Sequence, residues 1–404
     1  METKPYKILH VIPAYGGGIS SYVKNLIAAP NQDNIVMDVA GFGTFPNSFV
    51  EVVTSYGGRV YPLPSVHKSF AAFIKAYRAV LCHRYDALHC HFSGYKGWIF
   101  KRMARMAGVP LIITHAHRTD DESKEGLYQV SLRLSQALSR SCSDCYMTCS
   151  EMAAAFIFGA DFVRHHSVWM MPNTIRPSQY RDELTAAEQR EYLAKLGLTQ
   201  KDRIILGHIG RFNKQKNHPF LLDIARRLKQ DGLDFVMLLI GDGDNFQKIQ
   251  RAVLEEHLED RVFFWGKRND VSRILKWMDL MLLPSLYEGL PTVAVEAQAA
   301  GTPCLLADTI TRQTDLGLNL VRFLPIHPDA ACWCEAIEHF SPGQPADYAQ
   351  RIEQMKQKGF IDSEMRKKYA ESISSYEKAK RGCTHIQCGA VSGTVCEKHH
   401  QGQL

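Results

Sequence analysis

The 404-residue chain lacks several features that would assign it quickly to a class of protein. No run approaches the roughly 18 to 20 uncharged apolar residues that a membrane-crossing helix needs, so none is expected. Charge of one sign is also scarce. The 48 basic and 42 acidic residues leave a net charge of only +6, too small and too scattered for a nucleic-acid binder. The 11 cysteines are odd in number and irregularly spaced, which argues for reduced thiols over a disulfide framework. Met1 to Lys7 leads straight into a strand, so the expected home is the cytoplasm.

What is present is ample apolar content, 45%, in a chain longer than one core usually supports. Short β-branched runs alternate with helical patterns: Ile8 to Ile12, Ile35 to Val39, Arg59 to Tyr61, Ala87 to His89, Leu111 to Thr114, Cys145 to Thr148 and Ser167 to Met171. A charged stretch between Pro172 and about Thr199 interrupts the alternation. It resumes with Ile204 to Ile209, Phe235 to Ile240, Val262 to Trp265, Leu280 to Leu283, Cys304 to Ala307 and Leu320 to Leu324. Strand and helix in alternation predict an α/β fold, here two Rossmann-like doubly wound domains facing across a cleft. The expected divisions are 1–175, 176–362, a helix 363–380 that packs back on the first domain, and a disordered tail 381–404.

The most informative segment is Tyr287 to Glu296, with two glutamates separated by seven residues where a strand should turn into a helix. Pro291 suits the first helical position and Gly301 with Pro303 the end. The first turn then offers unpaired N–H groups and a positive dipole end to an anion. Upstream, Gly210-Arg211-Phe212-Asn213-Lys214-Gln215-Lys216 follows the first strand of the second half, and Arg211 with Lys216 can offset two phosphate charges without a metal. Gly241-Asp242-Gly243 and Gly266-Lys267-Arg268-Asn269 follow the next two strands. Their glycines let backbone approach a ligand, and Arg268 with Asn269 is the candidate edge for a nucleobase. Each loop alone is an ordinary turn. In order, and ending in Glu288 to Glu296, they form one joint signal for a ligand with a diphosphate and hydroxyl-rich ends.

Those residues carry a resemblance to the family-4 glycosyltransferases, retaining enzymes of the two-domain GT-B fold, over roughly residues 6 to 375. The run Glu288 to Pro291 with Glu296 to Gly301 is most similar to bacterial members that build exopolysaccharide or capsule. The resemblance implies Arg211 and Lys216 on the donor diphosphate, Glu288 on the donor sugar and Glu296 on the ribose. Gly210, Gly241 and Gly243 would shape the floor, and backbone N–H groups of Gly289, Leu290, Pro291's neighbour Thr292 and their surroundings would add contacts. It implies a nucleotide-sugar donor with UDP as the base carrier, a saccharide or lipid-linked saccharide acceptor, and no metal or other cofactor.

The first half is less specific. Gly16-Gly17-Gly18 opens a helix after the first strand but lacks the G-x-G-x-x-G spacing of a dinucleotide binder. By resemblance, Gly17 and Gly18 close over the donor. His115 and His117 stand past the end of a central strand, where relatives carry a histidine beside the reacting sugar; the sequence does not choose between them. His89 and His91 are weaker candidates. Cys142, Cys145 and Cys149 imitate a cluster-binding run but sit where a buried strand enters a helix capped by Ser150. The tail holds Cys383, Cys388, Cys396, His385, His399 and His400 at spacings that match none of the usual zinc patterns.

Two basic, apolar helices, Lys68 to Arg84 and Lys96 to Met106, suggest peripheral contact with an anionic membrane, at its inner face. The other reading, a solvated basic face over a covered sheet, is favoured. The expectation is a retaining glycosyltransferase, with no obvious carboxylate nucleophile in the first domain. A UDP-sugar 2-epimerase and a non-catalytic sugar-nucleotide-binding subunit are the rivals.

Overall fold

In a computed structural model, the apolar runs become thirteen strands among the described residues, 4–30, 33–66, 68–119, 126–340 and 346–380. The first sheet comprises β1 (Tyr6–Ala14), β2 (Ile35–Phe42), β3 (Val60–Leu63), β4 (Ala87–Cys90), β5 (Leu111–Ala116), β6 (Cys145–Thr148) and β7 (Trp169–Met170). The second comprises β8 (Ile204–Ile209), β9 (Phe235–Ile240), β10 (Val262–Gly266), β11 (Leu280–Leu283), β12 (Cys304–Ala307) and β13 (Val321–Leu324). Strand orders are β3-β2-β1-β4-β5-β6-β7 and β10-β9-β8-β11-β12-β13. Neighbouring strands run parallel. The expected two-domain doubly wound architecture is therefore present.

Strand order reverses between β1 and β4 in one sheet and between β8 and β11 in the other. Such switch points open a crevice beyond the carboxyl ends of the strands, the usual place for a ligand. Here the two crevices carry Gly16–Gly18 and the β4 histidines on one side, and the Arg211–Lys216 loop and Glu288 on the other.

Apolar burial explains why the strands hold. Leu280 through Leu283 and Leu305 through Ala307 are buried on both faces, as parallel strands covered by helices must be. The last helix, Asp362–Lys380, buries Met365, Tyr369 and Ile373 in the core of the first sheet beside Ile8, Val39 and Ile113. Each such side chain contributes about 1.5–3 kcal/mol. Arg366 adds a forked ion pair to Asp33, at 2.6 and 2.8 Å, and a bond to the carbonyl of Leu26.

Three local expectations change. Pro291 is the cap preceding the helix Thr292–Ala300 and not its first residue; its ψ of 108° is extended, and helical geometry begins with Thr292. Lys101 is no part of a basic surface. Its side chain is fully buried and donates to the carbonyls of Leu138 and Ser139 and to the Ser143 hydroxyl, while burial lowers its pKa to about 8. Exposed apolar side chains are not confined to the helix Gly94–Met106, which keeps Tyr95, Trp98 and Met106 outward; a further stripe, Leu127, Val130 and Leu134, faces outward on the helix Leu127–Arg140. Among the described residues no helix is long and apolar enough to cross a membrane.

Cys145 and Cys149 are buried, reduced thiols, and Ser150 caps the helix Glu151–Phe158 as its sequence position suggests. The cysteine and histidine tail lies outside the described residues.

Candidate active site

The loop after β8 meets the segment after β11 at one charged pair. Lys216 Nζ stands 2.6 Å from Glu288 Oε1, with both side chains largely buried. Gln215 Nε2 donates to the other carboxylate oxygen at 3.1 Å and to the Tyr287 carbonyl at 2.9 Å. Glu288 is thus held at both oxygens by a neighbouring loop, which fixes its rotamer at little further entropic cost. Lys216 in turn is placed by its own backbone, whose N–H donates to Asn213 Oδ1 at 3.1 Å.

Arg211 behaves differently. Its side chain is exposed and makes no hydrogen bond or ion pair among the described residues. Its guanidinium crosses toward the first domain, where a Cβ on Gly16 would lie 3.9 Å from Nη2. Gly16 and Gly17 have φ of 109° and 85°, conformations open to glycine, so the loop can pass this close to a neighbouring side chain. Beside it, a Cβ on Gly18 would stand 3.1 Å from Thr292 Oγ1. The glycine loop therefore faces the start of the helix Thr292–Ala300.

That helix start is short of partners. It has no side-chain cap. Thr292 Oγ1 and Asn173 Oδ1 are buried without a hydrogen bond, and both side chains border the Gly18 position. Buried polar groups without partners are rare, and here they surround the end of a helix dipole that attracts anions. The carbonyls on the outer side are already used: Ser150 Oγ donates to Gly289 O at 2.7 Å and Asn173 Nδ2 to Leu290 O at 3.0 Å. A Cβ on Gly289 would come within 2.5 Å of the His117 carbonyl oxygen, so the two domains touch through bare backbone.

Glu296 lies inside the same helix, half-buried and without a hydrogen bond. Burial pushes its carboxyl up to about 7. Such a group gains from hydroxyls that would solvate its charged form.

Two sequence expectations fare differently at atomic detail. Gly241 and Gly243 are needed for protein–protein backbone contact: added Cβ atoms would meet the Gly210 carbonyl oxygen at 1.9 Å and the Phe212 oxygen at 2.6 Å. The close approach is to the neighbouring loop, with Gly210 itself packed on Lys216 and His208. Arg268 spends its guanidinium on Asp270, at 2.8 and 2.6 Å, over the face of Trp265. Asn269 alone of that pair is exposed with its side chain uncommitted.

His115 and His117 both belong to a larger array. Residues two apart in extended chain share a face, so β4 and the residue after it contribute His89 and His91, β5 and the residue after it His115 and His117, with His10 from β1 alongside. His91 Nδ1 lies 2.8 Å from His117 Nε2, and His89 Nε2 lies 3.1 Å from His115 Nδ1. Desolvation lowers all five pKa values, those of His10 and His117 to about 3, so the rings are neutral. His117 is the half-buried member and borders Gly289; His115 lies behind it. Sequence reasoning passed over His10 and Asn173 and gave Ser150 only the role of a helix cap. The last two follow strand ends, which is the only signal the sequence offered.

Comparison with known proteins agrees with the two-domain fold. Residues 17–174 match the glycosyl transferase 4-like domain and residues 188–317 the glycosyl transferases group 1. The chain is 32% identical over 344 residues to a putative glycosyltransferase, EpsF, of Bacillus subtilis, covering 83% of this chain and 88% of that one. It is 25% identical over 248 residues to an Escherichia coli UDP-Gal:alpha-D-GlcNAc-diphosphoundecaprenol alpha-1,3-galactosyltransferase, covering 60% and 63%. Among solved structures, Anabaena HepE in complex with UDP-glucose superimposes with a TM-score of 0.72 at 19% identity, covering 91% of this chain and 99% of that one. That likeness shows the fold.

Proposed function

Because the chain belongs to the group 1 glycosyltransferases, we propose that it moves a sugar from UDP, with retention of configuration, onto a saccharide or lipid-linked saccharide in exopolysaccharide or capsule assembly. The observation that carries this is the free Arg211 guanidinium set beside an uncapped helix start and the Gly16–Gly18 loop. A diphosphate fits that place. The donor named for the E. coli relative and the nucleotide sugar in the Anabaena structure support UDP, and the relative's diphosphoundecaprenol acceptor supports a lipid-linked one.

In this reading Arg211, Lys216 and the N–H groups at Thr292 take up charge on the departing diphosphate, with no metal ion on it. Glu288, already aimed by Gln215 and Lys216, accepts from donor-sugar hydroxyls, and Glu296 from the ribose. His117 meets the sugar from the opposite wall. The backbone of Gly266 to Asn269 borders the base. With the leaving diphosphate held in place, the acceptor hydroxyl attacks from the same face and passes its proton to the departing oxygen. Closure of the two walls excludes water. The stripe Leu127, Val130 and Leu134, with exposed Tyr95 and Trp98 on the adjoining helix, rests on the membrane that carries the acceptor.

The test is a screen of UDP-sugars for UDP release that depends on a saccharide acceptor, with the anomeric configuration of the product read by NMR. Retained configuration and acceptor dependence are expected. An epimerised donor formed without any acceptor would overturn the reading.

A further inference from the structure

The histidine array holds more polar atoms than it can satisfy. Two hydrogen-bonded series run through it: His10 Nδ1 to His91 Nε2 at 3.1 Å and on to His117, and Tyr369 hydroxyl to His89 Nδ1 at 2.9 Å and on to His115. At their ends His10 Nε2, His115 Nε2 and His117 Nδ1 are buried with no partner at hydrogen-bond distance, as is the hydroxyl of Tyr22, although the Met171 backbone favours a proton on the His115 ring. Tyr22 lies edge-on to the rings of His115 and His117, 4.8 and 5.4 Å between centroids. Orphaned polar atoms of this density ask for a missing ligand.

We propose that His91, His115 and His117 form a binding site for a divalent transition-metal ion of the zinc class. One nitrogen from each of the three lies within 4.8 Å of the others. A tetrahedral zinc site with bonds of about 2.0–2.1 Å sets its nitrogens about 3.3 Å apart, so the 2.8 Å His91–His117 pair opens by about half an ångström. Neutral imidazoles with no carboxylate among them favour zinc, cobalt, nickel or copper over magnesium or calcium. Three protein ligands leave a fourth position for water. With the ion on His117 Nε2, the orphaned Nδ1 carries the proton and becomes a fixed donor. Tyr369 through His89, and His10, then act as the outer partners that orient His115 and His91. The ion ties β4 to the end of β5 at the domain contact and is separate from the groups that hold the diphosphate.

The sequence hides this site because its ligands come from two strands. His89-x-His91 and His115-x-His117 are ordinary strand pairs until parallel pairing of β4 with β5 brings their ends together.

The test uses the untagged full-length chain, grown with zinc and purified without chelator. Elemental analysis should find about one zinc per chain. After its removal, Co²⁺ should give the strong ligand-field bands of a tetrahedral nitrogen site, without thiolate charge-transfer bands. His91→Asn and His117→Asn should each weaken cobalt binding at least a hundredfold, and His10→Asn far less. A chain that stays metal-free and gives no cobalt spectrum overturns the proposal, as do thiolate bands, which would place the ion on the cysteine tail, or unchanged binding in the variants. Should the variants fail to fold, the wild-type cobalt spectrum decides alone. None of these readouts requires turnover, so failure of the transfer assay and failure of the metal site remain distinguishable.

Discussion

The two walls of the cleft solve the same problem in opposite ways. On the second-domain side, charged groups from contiguous loops pair with one another: Lys216 with Glu288, Gln215 with the same carboxylate, Arg268 with Asp270. On the first-domain side the polar groups are neutral rings and glycine backbone, contributed by three strands and left short of partners. A charged wall suits charge that develops during a reaction, since preorganised ions need not reorient. A neutral wall recognises by shape and hydrogen bonding.

The sharpest way to break this contrast is Arg211→Ala. The Arg211 side chain has no hydrogen bond or ion pair in the fold to lose, only a weak attraction to Asp242, so the melting temperature should stay within about 1 °C while transfer falls about 10²–10³-fold, the scale of losing one preorganised electrostatic contact. Unchanged turnover in a steady-state assay would remove the charged wall from the mechanism. Lys216→Ala should cost activity and stability together, because it strands Glu288 in a largely buried place.

A smaller effect tests the contact between the walls. Gly289→Ala puts a methyl 2.5 Å from the His117 carbonyl oxygen, and rigid backbone on both sides has to give way. Overpacking of this kind costs about 1–3 kcal/mol, and transfer should drop roughly tenfold through a displaced Glu288. A variant as active as the wild type would mean that the walls meet elsewhere during turnover.

The contrast also explains what could be read in advance. The strands were legible because each is a short apolar run with turn residues on either side, as Met281 to Pro284 illustrates. The positions of Arg211, Lys216 and Glu288 past strand ends, and of Glu296 inside the helix that follows, were legible from local spacing. The pairing of Lys216 with Glu288, 72 residues apart in sequence, was not, since it depends on β8 lying beside β11. Gly241 and Gly243 were recognised as close-approach positions, but only the packed loops reveal that the approach is to Gly210 and Phe212. The burial of Lys101 was equally invisible, because its acceptors are carbonyls of Leu138 and Ser139 on another helix. His10 carried no signal until β1 paired with β4 and set it beside His89.

The mildest prediction concerns Glu296, which sits on the charged wall yet lacks a counterion. Its carboxyl is raised from 4.5 to about 7 by burial. Below pH 4.5 folded and unfolded chains both hold the proton, and the group is neutral in its effect. As pH rises from 4.5 toward 7 the unfolded chain gives up that proton first, so folding loses stability, approaching about 3 kcal/mol above pH 7 before any discount for solvent reaching the half-buried side chain. Glu296→Gln should therefore be the more stable protein at pH 8, by about 1–3 kcal/mol in denaturant melts, and indistinguishable at pH 4. If ribose hydroxyls are what the carboxylate meets, the same variant should raise the donor KM several-fold with a smaller change in kcat. Adding UDP-sugar should then stabilise wild type more than variant. Equal stability of the two proteins across the pH range would show that water already reaches this carboxyl, and the second glutamate of the pair would lose its place at the buried end of the donor site.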